Sequence, residues 1–284
     1  MKKKVIFKKA VPKGDDVQVI DFLDSELPLS KSILKEAMIQ GSCWLKKGNS
    51  KALRRVRRAK SPIRAGDIVE FYYDPMLFER QKEADDLEPQ LIKNERDWSA
   101  WYKPAGLLSQ GTKYGDSLSL LRRIEKQTKN EPFLIHRLDR ETDGVMVVAH
   151  NAKSAKLLSA KWRGTLVQKI YHAWVLGEVA EEEGRLDEMI DGKKAITYFK
   201  VVERLENRTY LELRLGTGRT HQIRKHLEGA GHPIMGDPAY GRRNKDHRGL
   251  QLRASGLVFD WHGTQKVIET PEEVSALDPC LRDS

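Results

Sequence analysis

The sequence predicts an α+β chain in two parts. A small basic α+β unit runs through residue 74, a charged linker occupies 75–90, and a larger domain over 91–284 carries a mixed, mainly antiparallel sheet flanked by helices and loops. Three observations support this division. In the larger part the apolar, β-branched runs come mostly as neighbouring pairs, which favours antiparallel pairing over a doubly wound sheet. Residues 75–90 are dense in charge and have Pro75 and Pro89 near their ends, the composition of a linker. Positive charge is concentrated at the start: residues 1–75 hold 17 of the 51 Lys+Arg but only 9 of the 41 Asp+Glu, most of the net +10.

In the first part, Val19, Ile20, Leu23 and Leu27 follow a helical spacing within 17–27. Ser30 can cap a second helix in which Ile33/Ala37 and Leu34/Met38 form i,i+4 pairs, and Gly41 ends it. Cys43-Trp44-Leu45 reads as a strand, 47–50 as a turn, and Gly66-Asp67 as a turn into a strand over 68–73. Between those turns Arg54, Arg55, Arg57, Arg58 and Lys60 form a basic stripe suited to phosphates.

In the second part, 98–102 reads as a strand leading into Lys103-Pro104-Ala105-Gly106, and 117–127 as an amphipathic helix. Val145–Ala149 is a short buried strand, followed by a helix over 151–162. Strands are expected over 169–176, 195–202 and 210–215, and a helix over 221–228.

Composition narrows the function classes. Hydrophobic content of 39% with 32% charged residues describes a soluble globular protein, and no apolar run approaches the roughly 20 residues of a membrane helix. The basic start lacks the apolar core of a signal peptide. Cys43 and Cys280 are isolated thiols without metal-ligand spacing, consistent with a reducing cytoplasm. Concentrated positive charge is the footprint of a polyanion binder.

The most informative stretch is His136-Arg137-Leu138-Asp139-Arg140-Glu141-Thr142-Asp143-Gly144. It places Asp139 among two arginines and a histidine, immediately before a buried strand. A carboxylate beside fixed cations keeps its charge and can act as a nucleophile or an anchor. An ion-paired loop that merely positions the strand is the plainer alternative.

A second constellation is Leu215-Gly216-Thr217-Gly218-Arg219-Thr220-His221-Gln222-Ile223-Arg224-Lys225-His226. Its glycines let the backbone turn sharply and deliver Arg219 from the turn. His221 and His226, five apart, do not stack on one helical face and have no Cys nearby, so no metal is expected. In Lys169-Ile170-Tyr171-His172, alternation puts Tyr171 on the face of Lys169 and Ala173, either as core or with its hydroxyl turned to a pocket.

Taken together these segments resemble the RluA-type pseudouridine synthases. His136–Gly144 looks like their signature loop, Lys103–Gly106 like their first motif, Lys169–Tyr171 like their tyrosine strand, and 217–226 followed by 231–241 like their third motif. The tail over 250–259 matches the family's last core strand. The order of elements in 17–74 resembles the ribosomal S4-type RNA-binding domain, through Leu29–Ser32, the helix ending at Gly41, the hairpin of 44–48, and 63–69.

The resemblance implies a pseudouridine synthase domain behind an S4-like domain. Its reaction detaches uracil from ribose, turns the base and rejoins it through carbon 5. It implies no cofactor and no metal. Asp139 is then the essential carboxylate, attacking the anomeric carbon or assisting loss of the 2′ proton. Arg219 is expected to pair with Asp139, Tyr171 to stack on the uracil, Leu215 to pack on the ring's other face, and Arg137 to fill the stack vacated by a flipped base. The expected partner is structured RNA, large-subunit (23S) ribosomal RNA ahead of transfer RNA, met by a cytoplasmic monomer.

The alternative from another class is a catalytically inactive RNA-binding or ribosome-assembly factor. A hydrolase using Asp139 and His136 lacks a separate nucleophile. Three positions depart from the family pattern. Asp143 stands where Ser or Thr is usual, Ser109-Gln110 where a Val-His pair is common, and Arg253 where His is usual. A second carboxylate close to Asp139 would oppose its ionisation, so Asp143 is expected to turn away, toward Arg140 or a backbone amide.

Overall fold

The computed structural model describes residues 3–14, 16–48, 50–83, 87–164, 166–242 and 244–272. Cys280 and part of the 75–90 segment lie outside them. The chain forms two compact units, one of Met1–Leu87 with Gln110–Gln127, the other of Glu88–Ser109 with Thr128–Ser284.

The first unit contains β1 (Val5–Ala10), β2 (Val17–Gln18), α1 (Val19–Glu26), α2 (Lys31–Gln40), β3 (Cys43–Lys46), β4 (Leu53–Arg55), β5 (Pro62–Ile63), β6 (Ile68–Tyr73), α3 (Pro75–Glu83) and most of α4 (Leu120–Thr128). An antiparallel sheet runs β1-β6-β3-β4, and β2 pairs with β5. The α1 stripe (Val19, Ile20, Leu23) and Leu34, Ala37 and Met38 of α2 bury against Val69 and Phe71. Full burial of each such side chain contributes about 1.5–3 kcal/mol. Ser30 accepts a hydrogen bond from the Ile33 amide at 3.4 Å, and Gly41 closes α2 with φ of 94°, a conformation that favours glycine.

Two features differ from expectation. Pro75–Glu83 is helical, because Phe78 finds a buried seat against Tyr73 with ring centroids 5.3 Å apart. A charged surface with one apolar anchor reads as linker in composition alone. The segment 110–116 also packs within this first unit. Ser42 Oγ donates to the Tyr114 carbonyl at 2.7 Å, Trp44 Nε1 to that of Lys113 at 3.0 Å, and the Asp116 amide to that of Gln40 at 2.9 Å.

The second unit is built on one large sheet. Its strands are β7 (Gln90–Asn94), β8 (Trp98–Lys103), β9 (Phe133–Leu134), β10 (Asp143–Ala149), β11 (Val167–Leu176), β12 (Glu183–Leu186), β13 (Thr197–Leu205), β14 (Arg208–Leu215), β15 (Leu252–Trp261) and β16 (Thr264–Glu269). The order is β12-β13-β14-β11-β15-β10-β8-β7, with β16 on β15 and β9 on β10. Every pairing is antiparallel except β10 with β15, so the mixed, mainly antiparallel α+β fold is the one that forms.

Two helices fix which sheet residues are core. α5 (Ala152–Arg163), capped by Asn151 accepting from the Ser154 amide at 2.9 Å, packs Leu158 and Trp162 on Val145, Val147 and Phe259. α6 (Gln222–Gly229) packs Ile223 and Leu227 on Ala173, Val175 and Leu213.

Candidate active site

The loop 136–142 is held from three sides within its own unit. The His136 ring stacks on Trp162 (centroids 5.1 Å apart), and its Nε2 accepts from the Val147 amide at 3.1 Å. Burial pushes its pKa down to about 3, helped by the charge of Lys169, so this histidine is a neutral strut and not a proton carrier. Ser109 pins the next turn, its hydroxyl donating to the Leu138 carbonyl at 2.7 Å and accepting from the Leu138 amide at 2.9 Å. Val could make neither bond.

Below the loop lies Lys103, fully buried. Its ammonium donates to the carbonyls of Leu107 (2.8 Å), Pro104 (3.0 Å) and Arg140 (3.2 Å), which ties the first motif to the signature loop. Burial lowers its pKa to about 8, against the opposing charges of Asp143, Glu141 and Asp139. Gly144 marks the exit of the loop, where β10 meets β15. A Cβ there would stand 2.2 Å from the Ala254 carbonyl oxygen, so no larger residue allows this parallel pairing.

Asp139 is partly exposed and faces α6. Its Oδ2 accepts from Arg224 Nη1 at 3.4 Å and lies 3.7 Å from His221 Nε2. Arg224 is itself immobilised. Its Nε and Nη2 each donate at 2.7 Å to the two oxygens of the fully buried Asp237, whose Oδ1 also accepts from the Ala239 and Tyr240 amides. The Asp237 carboxyl lies below its ordinary pKa: burial alone would raise it, and these donors outweigh that. The Arg224 guanidinium also lies 5.0 Å from the Tyr240 ring. A bidentate partner on one edge leaves the other edge aimed at Asp139 in a fixed plane.

This corrects the expected pairing of Arg219 with Asp139. Arg219 is exposed in the turn before α6, and its Nε donates to the Lys194 carbonyl at 3.0 Å. The turn is locked by Gln222, whose amide oxygen accepts from the Arg219 amide and Thr217 Oγ1. Arg224 lies on the buried side of α6, where its stem packs and its head finds two carboxylates.

His221, expected as a structural or RNA-facing histidine, also reaches the carboxylate. It takes a left-handed backbone (φ 53°), rare for a residue with a side chain, and its Nδ1 lies 3.0 Å from the Tyr240 hydroxyl. His226, by contrast, is buried between Thr197 Oγ1 at 2.9 Å and the Glu188 carbonyl at 3.0 Å.

Tyr171 sits on β11 opposite Leu213 of β14, packed at the edge of the α6 core with Leu215 nearby in the same cluster. Burial raises its phenol pKa, and the charge of Asp139 raises it further, which puts carboxylate and phenol within electrostatic reach. The hydroxyl therefore stays protonated near neutrality. Arg137 is exposed in the loop, two residues before Asp139 in the chain.

Among the described residues, the partners of Asp143 are neither Arg140, which pairs with Glu141 at 2.8 Å, nor a backbone amide. Asp143 Oδ2 accepts from Tyr102 Oη at 2.5 Å and from Arg253 Nε and Nη2, both at 2.9 Å.

In the first unit the basic stripe divides in two. Arg55 lies 4.1 Å over the Trp44 ring, donates to the Gly41 and Thr112 carbonyls, and is 3.3 Å from Asp116. Arg57 meets Asp116 at 2.6 Å. These two hold the 110–116 segment, so their guanidinium groups are engaged within the unit. Arg54, Arg58 and Lys60 are exposed.

Residues 97–229 match the RNA pseudouridylate synthase family. The chain is 36% identical over 170 residues to an uncharacterized RNA pseudouridine synthase of Bacillus subtilis, covering 53% of this chain and 56% of that protein. It thus spans little more than half the length of that relative. It is 31% identical over 225 residues to the ribosomal large subunit pseudouridine synthase D of Pseudomonas aeruginosa, covering 70% and 68% of the two chains. Among solved structures, human RNA pseudouridylate synthase domain containing 1 superposes with a TM-score of 0.59 at 23% identity, covering 68% of this chain and 88% of that one, a likeness of fold. Among the described residues, no helix is long and apolar enough to cross a membrane.

Proposed function

The chain belongs to the RluA-type RNA pseudouridine synthases, and we propose that it isomerises uridine in structured RNA to pseudouridine with Asp139 as the essential carboxylate. The observation that carries this reading is the convergence on Asp139 of the clamped guanidinium of Arg224 and the His221 ring. That convergence is more than an ion-paired loop requires, since Asp237 alone would satisfy Arg224.

In the anomeric route, an oxygen of Asp139 bonds to ribose C1′ as the C1′–N1 bond breaks, and the uracil leaves with the electron pair. The base turns, C5 bonds to C1′ and displaces the carboxylate. The C5 proton is then lost and N1 gains one, so nothing is oxidised, reduced or hydrolysed. In the other route Asp139 assists loss of the 2′ proton. In both, Arg224 stabilises the carboxylate as an anion, and Tyr171 offers a ring to the base and a hydroxyl for proton movement.

A uridine in a stem must be unstacked first, at a few kcal/mol. Arg137, exposed in the same loop, is proposed to fill the gap with its planar guanidinium. The exposed Arg54, Arg58 and Lys60 are proposed to hold RNA phosphates, as an S4-like domain would. The likeness to the Pseudomonas ribosomal large subunit pseudouridine synthase D supports large-subunit ribosomal RNA as the substrate.

The test is tritium release from 5-tritiated uridine in transcripts of large-subunit ribosomal RNA, since forming the C5 bond expels that atom. The wild-type protein is expected to release it and Asp139→Asn to release none. Equal release by both would overturn the assignment of Asp139. No release by the wild type from ribosomal or transfer RNA would favour the inactive-factor alternative.

A further inference from the structure

Alternation along β11 puts His172 and Trp174 on the opposite sheet face from Tyr171. That face holds a cavity of about 180 Å³ in the second unit, lined among others by His172, Trp174, Tyr210, Arg248, Gln251 and Arg253. The catalytic proposal uses none of them.

The lining mixes apolar side chains with planar rings and polar groups, the Asp143 carboxylate among them. Tyr210 stacks between His172 and Trp174, with centroids 5.4 and 4.9 Å apart. Arg208 lies 5.0 Å over the Trp174 ring. Arg248 is fixed by Asp246 at 2.7 Å, and Arg253 by Asp143 at 2.9 Å. Trp174 is buried, and its indole Nε1–H has no acceptor among the described residues, a donor that a ligand could satisfy.

Flat rings, fixed guanidinium planes, an amide and an unmet donor suit a ligand with a planar body, an edge of acceptors and a negative group. The same sheet face continues outward. Arg214 of β14 and Arg185 of β12 flank Tyr198 of β13 as its cross-strand partners, and that ring is 46% exposed. From β11 to β13 the distance is about 10 Å, two strand spacings.

We infer that this cavity is a second nucleotide site, with the base against the aromatic stack and the phosphate toward Arg248. RNA running on to Tyr198 is one source of that nucleotide, and a free mononucleotide is the other. As an RNA site it rests on the isomerase reading; as a nucleotide site it does not.

The test is ultraviolet cross-linking of the full-length Asp139→Asn protein, separately with ribosomal RNA and with AMP, CMP, GMP and UMP, the adducts being located by mass spectrometry. Adducts at Tyr210 or Trp174 are expected, with RNA labelling Tyr198 as well. Arg248→Ala should reduce them roughly tenfold, the loss of one charge-assisted contact. Gln251→Ala, which leaves the Arg248–Asp246 pair in place, should also reduce them. Adducts with mononucleotides but not RNA would assign the site to a free nucleotide. No adduct on these residues with either probe, or adducts unchanged in both variants, would overturn the inference. Tritium release by the otherwise wild-type protein reports on Asp139 independently, so failure of one reading does not imitate failure of the other.

Discussion

Arg253 donates from Nε and Nη2 to Oδ2 of Asp143, both at 2.9 Å, across the one parallel strand pairing of the sheet. Each residue alone departs from the family pattern, Asp for Ser or Thr and Arg for His. In this structure the two departures meet in one ion pair. The arginine neutralises a carboxylate that would otherwise oppose the charge on Asp139 four residues away, and the Tyr102 hydroxyl secures it further.

This compensation predicts coupling. Asp143→Ser and Arg253→His should each destabilise the protein, and the double variant should recover part of the loss. The interaction energy expected from urea unfolding is about 1–3 kcal/mol. Additive effects would mean that the two positions changed independently.

The arginine clamp predicts a sharp contrast. Arg224→Ala removes the cation at Asp139 and leaves Asp237 without its bidentate partner. Single-turnover isomerisation is expected to fall about 10²–10³-fold, comparable to losing a preorganised electrostatic donor. Arg219→Ala should cost less than tenfold. The reverse order would restore Arg219 as the partner of Asp139.

Much of this was legible beforehand, for reasons that can be named. Ser30 and Gly41 bracket α2 through local capping chemistry, and the Val145–Ala149 run is strand-like in any context. Asp139 stood out because charge was packed against that run. The partner of Asp139 was not legible. Arg219 and Arg224 are five residues apart in the same motif, and only their placement in the turn or on the buried face of α6 separates them. The fate of Arg55 and Arg57 was hidden for a similar reason. Their partner Asp116 is some sixty residues away, and a basic stripe viewed alone seems to face solvent. Met76, Leu77 and Phe78 are adjacent apolar residues at the start of a charged segment, a cluster without a helical period, and Phe78 is the one that is buried.

The neutral His136 gives a pH dependence of stability. Its folded pKa of about 3 lies below the ordinary 6.5, so between these values the unfolded chain binds the extra proton. Stability from this group is therefore present above about pH 6.5 and is lost as pH falls toward 3. His136→Gln should flatten that segment of a pH–stability curve measured by urea denaturation. An unchanged slope would show that the ring titrates normally.

Gly41 should be intolerant for two reasons that act together. Its φ of 94° strains any side chain, and a Cβ would lie 2.6 Å from Nη1 of both Arg55 and Arg57. Gly41→Ala is expected to cost about 1–3 kcal/mol in unfolding free energy. A loss below about 0.5 kcal/mol would mean that the arginine cluster does not hold this position.

The central claim is that Asp139 acts chemically on RNA uridine, and mapping pseudouridines in cellular RNA tests it most directly. RNA from cells with the protein, without it, and with Asp139→Asn added back would be compared site by site. A small set of sites in large-subunit ribosomal RNA is expected to vanish on deletion, return with the wild-type protein and stay absent with Asp139→Asn. Sites that return in full with Asp139→Asn would contradict it.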